Sequence, residues 1–380
     1  MLGVIIGVSS VVLLISIGKG LENYVTQQFD KLGSNNIYIT PGTVFGEDGG
    51  FSDPQQQFLS SINQSFERRD VRRIKQLKQY VVEATYYNSQ VDEISYRDKQ
   101  ETTTLLGTSS SYNQVLQSDL DRGRFFTEGE ADSGQNAAVL GNEISKELFG
   151  EVDPIGKTIQ IGAGSFEVVG VIEEIGGGFG GPSFDTYVYI PFETMSRLYD
   201  SEKIFDIVVK ANADIPIPET IDRIEQAMLE EYEEDEFSVY DQSEILSVIN
   251  DILGMLTIGL GGIAAISLVV GGVGIMNIML VSVTERTREI GLRKALGATP
   301  NIILLQFLIE SALLSILGGL IGLGLAFLGS LAIQPYFPVK VTSGAVLLAF
   351  GVSTVVGVVF GAAPARKASR LSPIEALRYE

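Results

Sequence analysis

The sequence predicts a membrane protein with four transmembrane helices and a large α+β extracytoplasmic domain inserted between spans 1 and 2. Four long apolar runs support this fold class, one at the start of the chain and three after residue 250. The charge is also divided unevenly. Residues 1–251 contain 18 Lys or Arg and 42 Asp or Glu, whereas residues 252–380 contain 9 and 5. Alternating strand and helix patterns fill the acidic part.

The composition excludes several classes of function. The chain of 380 residues has a formal net charge of −20, so its acidic domain is a poor partner for nucleic acid or anionic lipid. It contains neither Cys nor His, which removes disulfides, the commonest metal ligand and the commonest general base. We find no catalytic constellation and no metal site, and we expect a non-catalytic protein.

Residues 1–17 are uncharged and predict transmembrane helix 1. A cleaved signal peptide is the alternative interpretation, but the segment lacks a positive start and a small-x-small cleavage site. No cytoplasmic flank precedes it, from which we expect an N-terminally truncated span.

Residues 18–250 form the predicted outer domain. Its two ends, Gly18–Leu32 and Ser243–Leu256, repeat apolar residues at three- and four-residue steps, which predicts helical stalks. Between them, short β-rich and amphipathic stretches alternate as in α+β domains. Gly150–Thr158 (GEVDPIGKT) resembles a phosphate loop, but five residues separate its Gly from the Gly-Lys-Thr, and a P-loop requires four. We therefore predict no nucleotide and no other cofactor on this chain.

Residues 251–283 form predicted transmembrane helix 2. Leu253–Val283 has no charge and would extend ~46 Å as a helix, more than a bilayer core requires. Glycines allow close helix packing, so the six in this span predict a packing or dimer face; simple Gly enrichment in membrane helices is the alternative. They are Gly259, Gly261, Gly262, Gly271, Gly272 and Gly274.

The basic segment, residues 284–301, follows this span and precedes transmembrane helices 3 (302–331) and 4 (345–363). The basic segment and the tail, residues 364–380, each contain four basic residues, whereas the connection between helices 3 and 4 contains one. Because basic loops stay in the cytoplasm, both are predicted to lie inside and the outer domain outside. Glu310 is an intramembrane acid close to the start of helix 3. It is either functional or paired with a cation of the basic segment.

Several motifs together resemble the MacB/FtsX family of ABC-transporter permeases. VTERTREIGLRKALGATP with QFLIESALLSILGGLIG resembles their membrane-domain signature, and ARKASRLSPIEALRYE resembles their C-terminus. NNIYITPG, DRGRFFTEGE and DPIGKTIQIGAGSFEVVGVI resemble the MacB-type extracytoplasmic core domain.

This resemblance implies a permease subunit of the bacterial inner membrane that works as a mechanical transmitter. A separate cytoplasmic ABC ATPase would bind ATP and Mg and press on the basic segment. A second permease copy or a paralogue would complete a dimer, and a periplasmic adaptor and outer-membrane channel are further partners. The matching positions are Glu285, Arg286, Arg288, Glu289, Gly291, Arg293, Lys294 and Gly297, and we expect Ile290, Leu292 and Leu296 to dock in an ATPase groove.

Export or extraction of a substrate is the function that we expect. An FtsX-like regulator of a cell-wall hydrolase and a lipoprotein-releasing permease are the alternatives. The size of the outer domain favours the MacB type.

Overall fold

The computed structural model describes residues 2–31, 35–46, 52–53, 64–176, 183–335 and 337–378. The chain divides into two compact units. The membrane unit comprises Met1–Tyr24 and Asn250–Glu380, and the outer unit comprises Val25–Ile249.

The membrane unit contains the four helices that are long and apolar enough to cross a bilayer. Their bounds are Leu2–Lys31, Gln242–Glu285, Pro300–Ile333 and Ser343–Arg370. The first two are longer than the predicted spans because each predicted stalk continues its span without a break. Two short helices, Thr287–Ala295 and Pro373–Arg378, complete this unit.

Small residues allow close contacts between the membrane helices. The Ser315 hydroxyl donates to the carbonyl of Ser353 at 2.6 Å, and a Cβ on Gly357 would lie 2.8 Å from the Cα of Ala312. The Ser9 hydroxyl donates to the carbonyl of Gly322 at 2.9 Å. Such contacts are typical of membrane helices, where small side chains let backbones approach and serine hydroxyls bond across helices.

Within the described residues, the outer unit is built on one mixed sheet of ten strands. The strands are β1 Asn36–Pro41, β2 Val81–Tyr96, β3 Lys99–Thr108, β4 Leu120–Gly123, β5 Ala137–Leu140, β6 Thr158–Ile161, β7 Gly164–Ile172, β8 Val188–Pro191, β9 Asp206–Ala211 and β10 Phe237–Asp241. Nine of them pair in the order β10-β1-β9-β2-β3-β8-β5-β7-β4, and β6 lies off this path, paired with β2 and β7.

Strand β2 joins two parts of this sheet, which are the group β10-β1-β9 on one side and a closed ring of strands on the other. Its first half pairs with β9, and its second half pairs with β6 at Ile94 and Ser95. Because β6 also pairs with β7, the strands β2, β3, β8, β5, β7 and β6 close into a ring. At 16 residues, β2 is long enough to belong to both parts.

Helices cover the apolar faces of the sheet. Arg68–Lys75 and Ile217–Met228 bury Ile74, Ile224 and Met228 against β1, β9 and β10. The second core lies within the ring of strands, where the remaining longer helices contribute Ile144, Leu148 and Met195. These helices are Asn142–Phe149 and Phe192–Tyr199; shorter helical segments are Tyr112–Val115, Glu128–Ser133 and Phe184–Thr186.

A capping box fixes the start of helix Glu128–Ser133. The backbone N–H of Thr127 donates to Glu130 Oε2 at 2.8 Å, and the backbone N–H of Glu130 donates back to the Thr127 hydroxyl at 3.3 Å. Arg124 also makes two 2.7 Å bonds to the Glu130 carboxylate. Mainly because of Arg124, and also of the Thr127 bonds, the pKa of Glu130 is lowered from 4.5 to about 2.

Glu130→Ala is therefore expected to lower the stability of the outer unit by about 1 kcal/mol at neutral pH, the usual cost of a lost helix cap. Since the folded-state pKa lies below the unfolded value, the wild-type advantage is complete above about 4.5 and decreases as the pH falls toward about 2. Thermal unfolding of the purified chain between pH 7 and pH 3 measures both effects.

Glu128→Ala is the matched control, because Glu128 lies on the same helix and forms no ion pair in the described part of the chain. Equal unfolding temperatures for the two variants at neutral pH would contradict the assignment of the cap to Glu130.

Candidate functional site

The basic segment folds as a short helix between two sharp turns. The long helix ends at Glu285, and Arg286 breaks it with φ −99° and ψ 16° before helix Thr287–Ala295 begins. At the other end Gly297 has φ +100°, a conformation that glycine adopts without strain. The N–H of Gly297 donates to the carbonyl of Lys294, and that of Ala298 donates to the carbonyl of Arg293, both at 3.0 Å. These are the two bonds of a Schellman C-cap, which directs the chain into helix Pro300–Ile333.

Arg286 connects the start of the short helix to the third membrane helix. Its Nε donates to Glu289 Oε2 at 2.9 Å, and its Nη1 donates to Glu310 Oε1 at 3.3 Å. Of the two roles considered for Glu310, the structure therefore shows pairing with a cation of the basic segment. Arg286, and to a smaller extent Arg293, keeps the pKa of Glu289 below its usual value.

Arg293 makes a parallel connection about two turns later. Its Nη1 donates to Gln306 Oε1 at 2.9 Å, and its Nη2 donates to Glu289. Glu289 and Arg293 form an ion pair, whereas Glu285 and Arg288, both described, form no ion pair with each other. Glu289 thus accepts hydrogen bonds from two arginines and holds both side chains against the short helix.

Lys294 points to the end of the fourth membrane helix. Its Nζ donates to the carbonyl oxygen of Leu371 at 2.7 Å and to that of Ser369 at 2.5 Å. Burial lowers the pKa of Lys294. On the same face, a Cβ on Gly291 would lie 2.7 Å from the Cβ of Ala376, so the short helix and helix Pro373–Arg378 are in direct contact.

The opposite face of the short helix is exposed. Leu292 is 53% exposed and Leu296 is 80% exposed, and Glu285 and Arg288 are also on the surface. Ile290, in contrast, is 1% exposed and packs in the core of the membrane unit, so the expectation that it docks a partner is wrong. Ile290 lies on the same side of the helix as Thr287 and Gly291, which are buried too.

The six glycines of the second membrane helix do not share one role. Gly271 is packed against the first helix, since its Cβ would lie 2.5 Å from the backbone nitrogen of Val4. Gly272 lies against the ring of Phe360. At the other four, no heavy atom of the described residues beyond the adjoining helix backbone lies within 4 Å of the Cβ position; these are Gly259, Gly261, Gly262 and Gly274. Close packing within the chain therefore accounts for two of the six.

The outer unit contains a separate polar cavity of about 430 Å³. Aromatic rings, hydroxyls and carboxylates line it together. Two of the carboxylates are already paired, Glu83 with Lys75 at 2.5 Å and Glu193 with Arg68. Within the described residues, no group of three or more acidic side chains is placed to hold a metal ion.

Gln306, Ser369 and Ala376 are contacts of the basic segment that the sequence analysis missed. Gln306 carries a detectable signal, because it is a polar residue one turn before Glu310 on an otherwise apolar helix. Ser369 contributes a backbone carbonyl and Ala376 a methyl group, and neither group leaves a pattern in the sequence.

Two family models match the chain, and together they extend over most of it. The MacB-like periplasmic core domain matches residues 1–227, and the FtsX-like permease C-terminal domain matches residues 261–373. The solved periplasmic region of MacB from Actinobacillus actinomycetemcomitans covers 60% of this chain with a TM-score of 0.50 and 20% sequence identity. At that identity it supports the fold of the outer unit alone.

Two relatives align with this chain over its whole length. It is 39% identical to the macrolide export ATP-binding/permease protein MacB of Bdellovibrio bacteriovorus, over 100% of this chain and 59% of that protein. It is 34% identical to the uncharacterized ABC transporter permease YknZ of Bacillus subtilis, over 100% of this chain and 94% of that protein. The chain thus spans little more than half of the MacB relative and nearly all of the YknZ relative. It belongs to the MacB/FtsX family of ABC-transporter permeases, multi-pass inner-membrane proteins with a large extracytoplasmic domain.

Proposed function

We propose that this permease transmits ATP-driven motion from a separate cytoplasmic ABC ATPase to its outer domain, for export or extraction of a substrate. The exposed face of the short helix carries the proposal. In the described part of the chain Arg288 forms no ion pair, and Leu292 and Leu296 are 53% and 80% exposed, while the other face is fixed to the membrane helices. An apolar surface of this kind, with a cation beside it, suits a protein partner.

The relatives support an ATP-binding partner. The MacB relative is named as an ATP-binding and permease protein, and this chain aligns with 59% of it. The YknZ relative is named as a permease, and this chain aligns with 94% of it. ATP and Mg would accordingly be bound by the partner ATPase, and the chain itself would be non-catalytic.

A second permease copy or a paralogue would pair with this chain in the membrane. Gly259, Gly262 and Gly274, which have no close neighbour in the described part of the chain, lie on one side of the second membrane helix and leave space there for a second helix. In a cell with an outer membrane, a periplasmic adaptor and an outer-membrane channel would receive the substrate. An FtsX-like hydrolase regulator and a lipoprotein-releasing permease remain the alternative functions. Identification of the proteins that co-purify in mild detergent separates all three.

Docking is tested with two single variants, Arg288→Glu and Leu296→Asp. Each is expected to reduce co-purification of the ATPase by at least about tenfold, which corresponds to about 1.4 kcal/mol of binding free energy. Arg293 is unsuitable for this test because its guanidinium bonds to Glu289 and Gln306 and its loss would disturb the segment itself.

Val91→Asp is the matched control, since Val91 is an apolar residue of the outer unit with 63% exposure. It should leave co-purification and membrane insertion unchanged. Undiminished ATPase recovery with both test variants would exclude the exposed face as the docking surface.

The side of the membrane on which the basic segment lies is tested by single cysteines, because the chain has none of its own. Val91→Cys is expected to react with a membrane-impermeant maleimide in intact spheroplasts. Leu296→Cys is expected to react only after the membrane is permeabilised, since its segment is positively charged. Labelling of both positions in intact spheroplasts would place them on the same side and end the proposal of a transmembrane transmitter.

A further inference from the structure

The contact between Lys294 and the tail has a defined chemistry. The carbonyls of Ser369 and Leu371 lie at the C-terminal end of helix Ser343–Arg370. The last carbonyls of a helix have no intrahelical partner and carry partial negative charge. An ammonium with three donors can satisfy two of them at once. Lys294 therefore caps the fourth membrane helix from a different element of the chain.

A second, independent contact joins the same two elements. Gly291 lies one turn before Lys294 and leaves no space between the short helix and Ala376, which is 1% exposed. Ile290 packs in the core that also contains Ala365 and Ala368 of the fourth helix. The short helix and the tail therefore share a polar and an apolar contact.

The other two bonded cations act differently. Arg286 and Arg293 bond to Glu289 within the short helix and to Glu310 and Gln306 of the third membrane helix. Among the described residues, Lys294 is thus the cation of the basic segment that bonds to the tail.

We infer that Lys294 is a positioning residue that fixes the tail to the short helix, so that the two move as one body and the fourth membrane helix follows the basic segment. The inference rests on the proposed function, since the motion it describes would start at the docked ATPase. Motion of the basic segment would then reach the membrane helices by two routes. One is the contact with the fourth helix, and the other is the direct continuation of the chain into the third helix.

Spin labels on a cysteine pair test this inference directly. Ala295→Cys and Glu375→Cys place one label on the short helix and one on helix Pro373–Arg378, both at exposed positions. The full chain is studied in nanodiscs with its co-purified ATPase, first without nucleotide and then with ATP and vanadate. With Lys294 present, we expect one narrow distance distribution with the same mean in both states.

Two substitutions define the role of the ammonium group. Lys294→Met keeps the length and removes the donors, and it should broaden the distribution in both states. Lys294→Arg keeps donors for two carbonyls and should restore the narrow distribution. A structural role of side-chain volume alone would leave Met equivalent to Lys.

Two results would overturn the inference. One is a nucleotide-dependent change of the mean distance with Lys294 present. The other is an unchanged, narrow distribution in Lys294→Met. The measurement without nucleotide needs no docked ATPase, so it decides the contact between Lys294 and the tail even if the docking variants described above refute the proposed function.

Discussion

Three of the four cations in the basic segment are hydrogen-bonded to groups on both sides of the short helix, and this arrangement sets the geometry of the membrane unit at this end. Arg286 and Arg293 are held by Glu289 and bond to the third helix, while Lys294 bonds to the end of the fourth. Each such pair, when half-exposed, contributes only tenths of a kcal/mol to stability. Their main effect is on geometry, because together they fix the orientation of the short helix and leave Arg288 on its free face.

The sequence was sufficient to predict the membrane helices and most secondary-structure elements of the outer unit. Long apolar runs have few alternatives to a helix in a membrane, because every backbone polar group must be bonded within the segment. In the outer unit, the apolar run Ala137–Leu140 and the alternation over residues 80–106 are patterns typical of strands, and the structure has strands there. The predicted stalks appear as continuations of the first two membrane helices.

Long-range pairing could not be predicted from local patterns. Strand β4 has the sequence LDRG and no β-rich pattern; it is a strand because it pairs with β7 at Ile172 and Gly170. The ring of six strands likewise depends on β6 pairing at Ile94, a residue that is more than sixty positions away in the chain. The burial of Ile290 has the same origin, since a helix nine residues long with apolar positions on both faces does not show which face will be covered.

The two faces of the short helix differ in which side chains they can accommodate. On the covered face, Gly291 has no space for a Cβ, and Lys294 must carry a charge into a half-buried position. On the free face, Leu292 and Leu296 have no partner within the membrane unit that would require an apolar side chain. Exposed leucines beside an arginine do not stabilise the isolated chain, because their apolar surface stays in water. Their presence is explained physically if a second protein covers them, and the covered face then gives that protein a rigid surface on which to act.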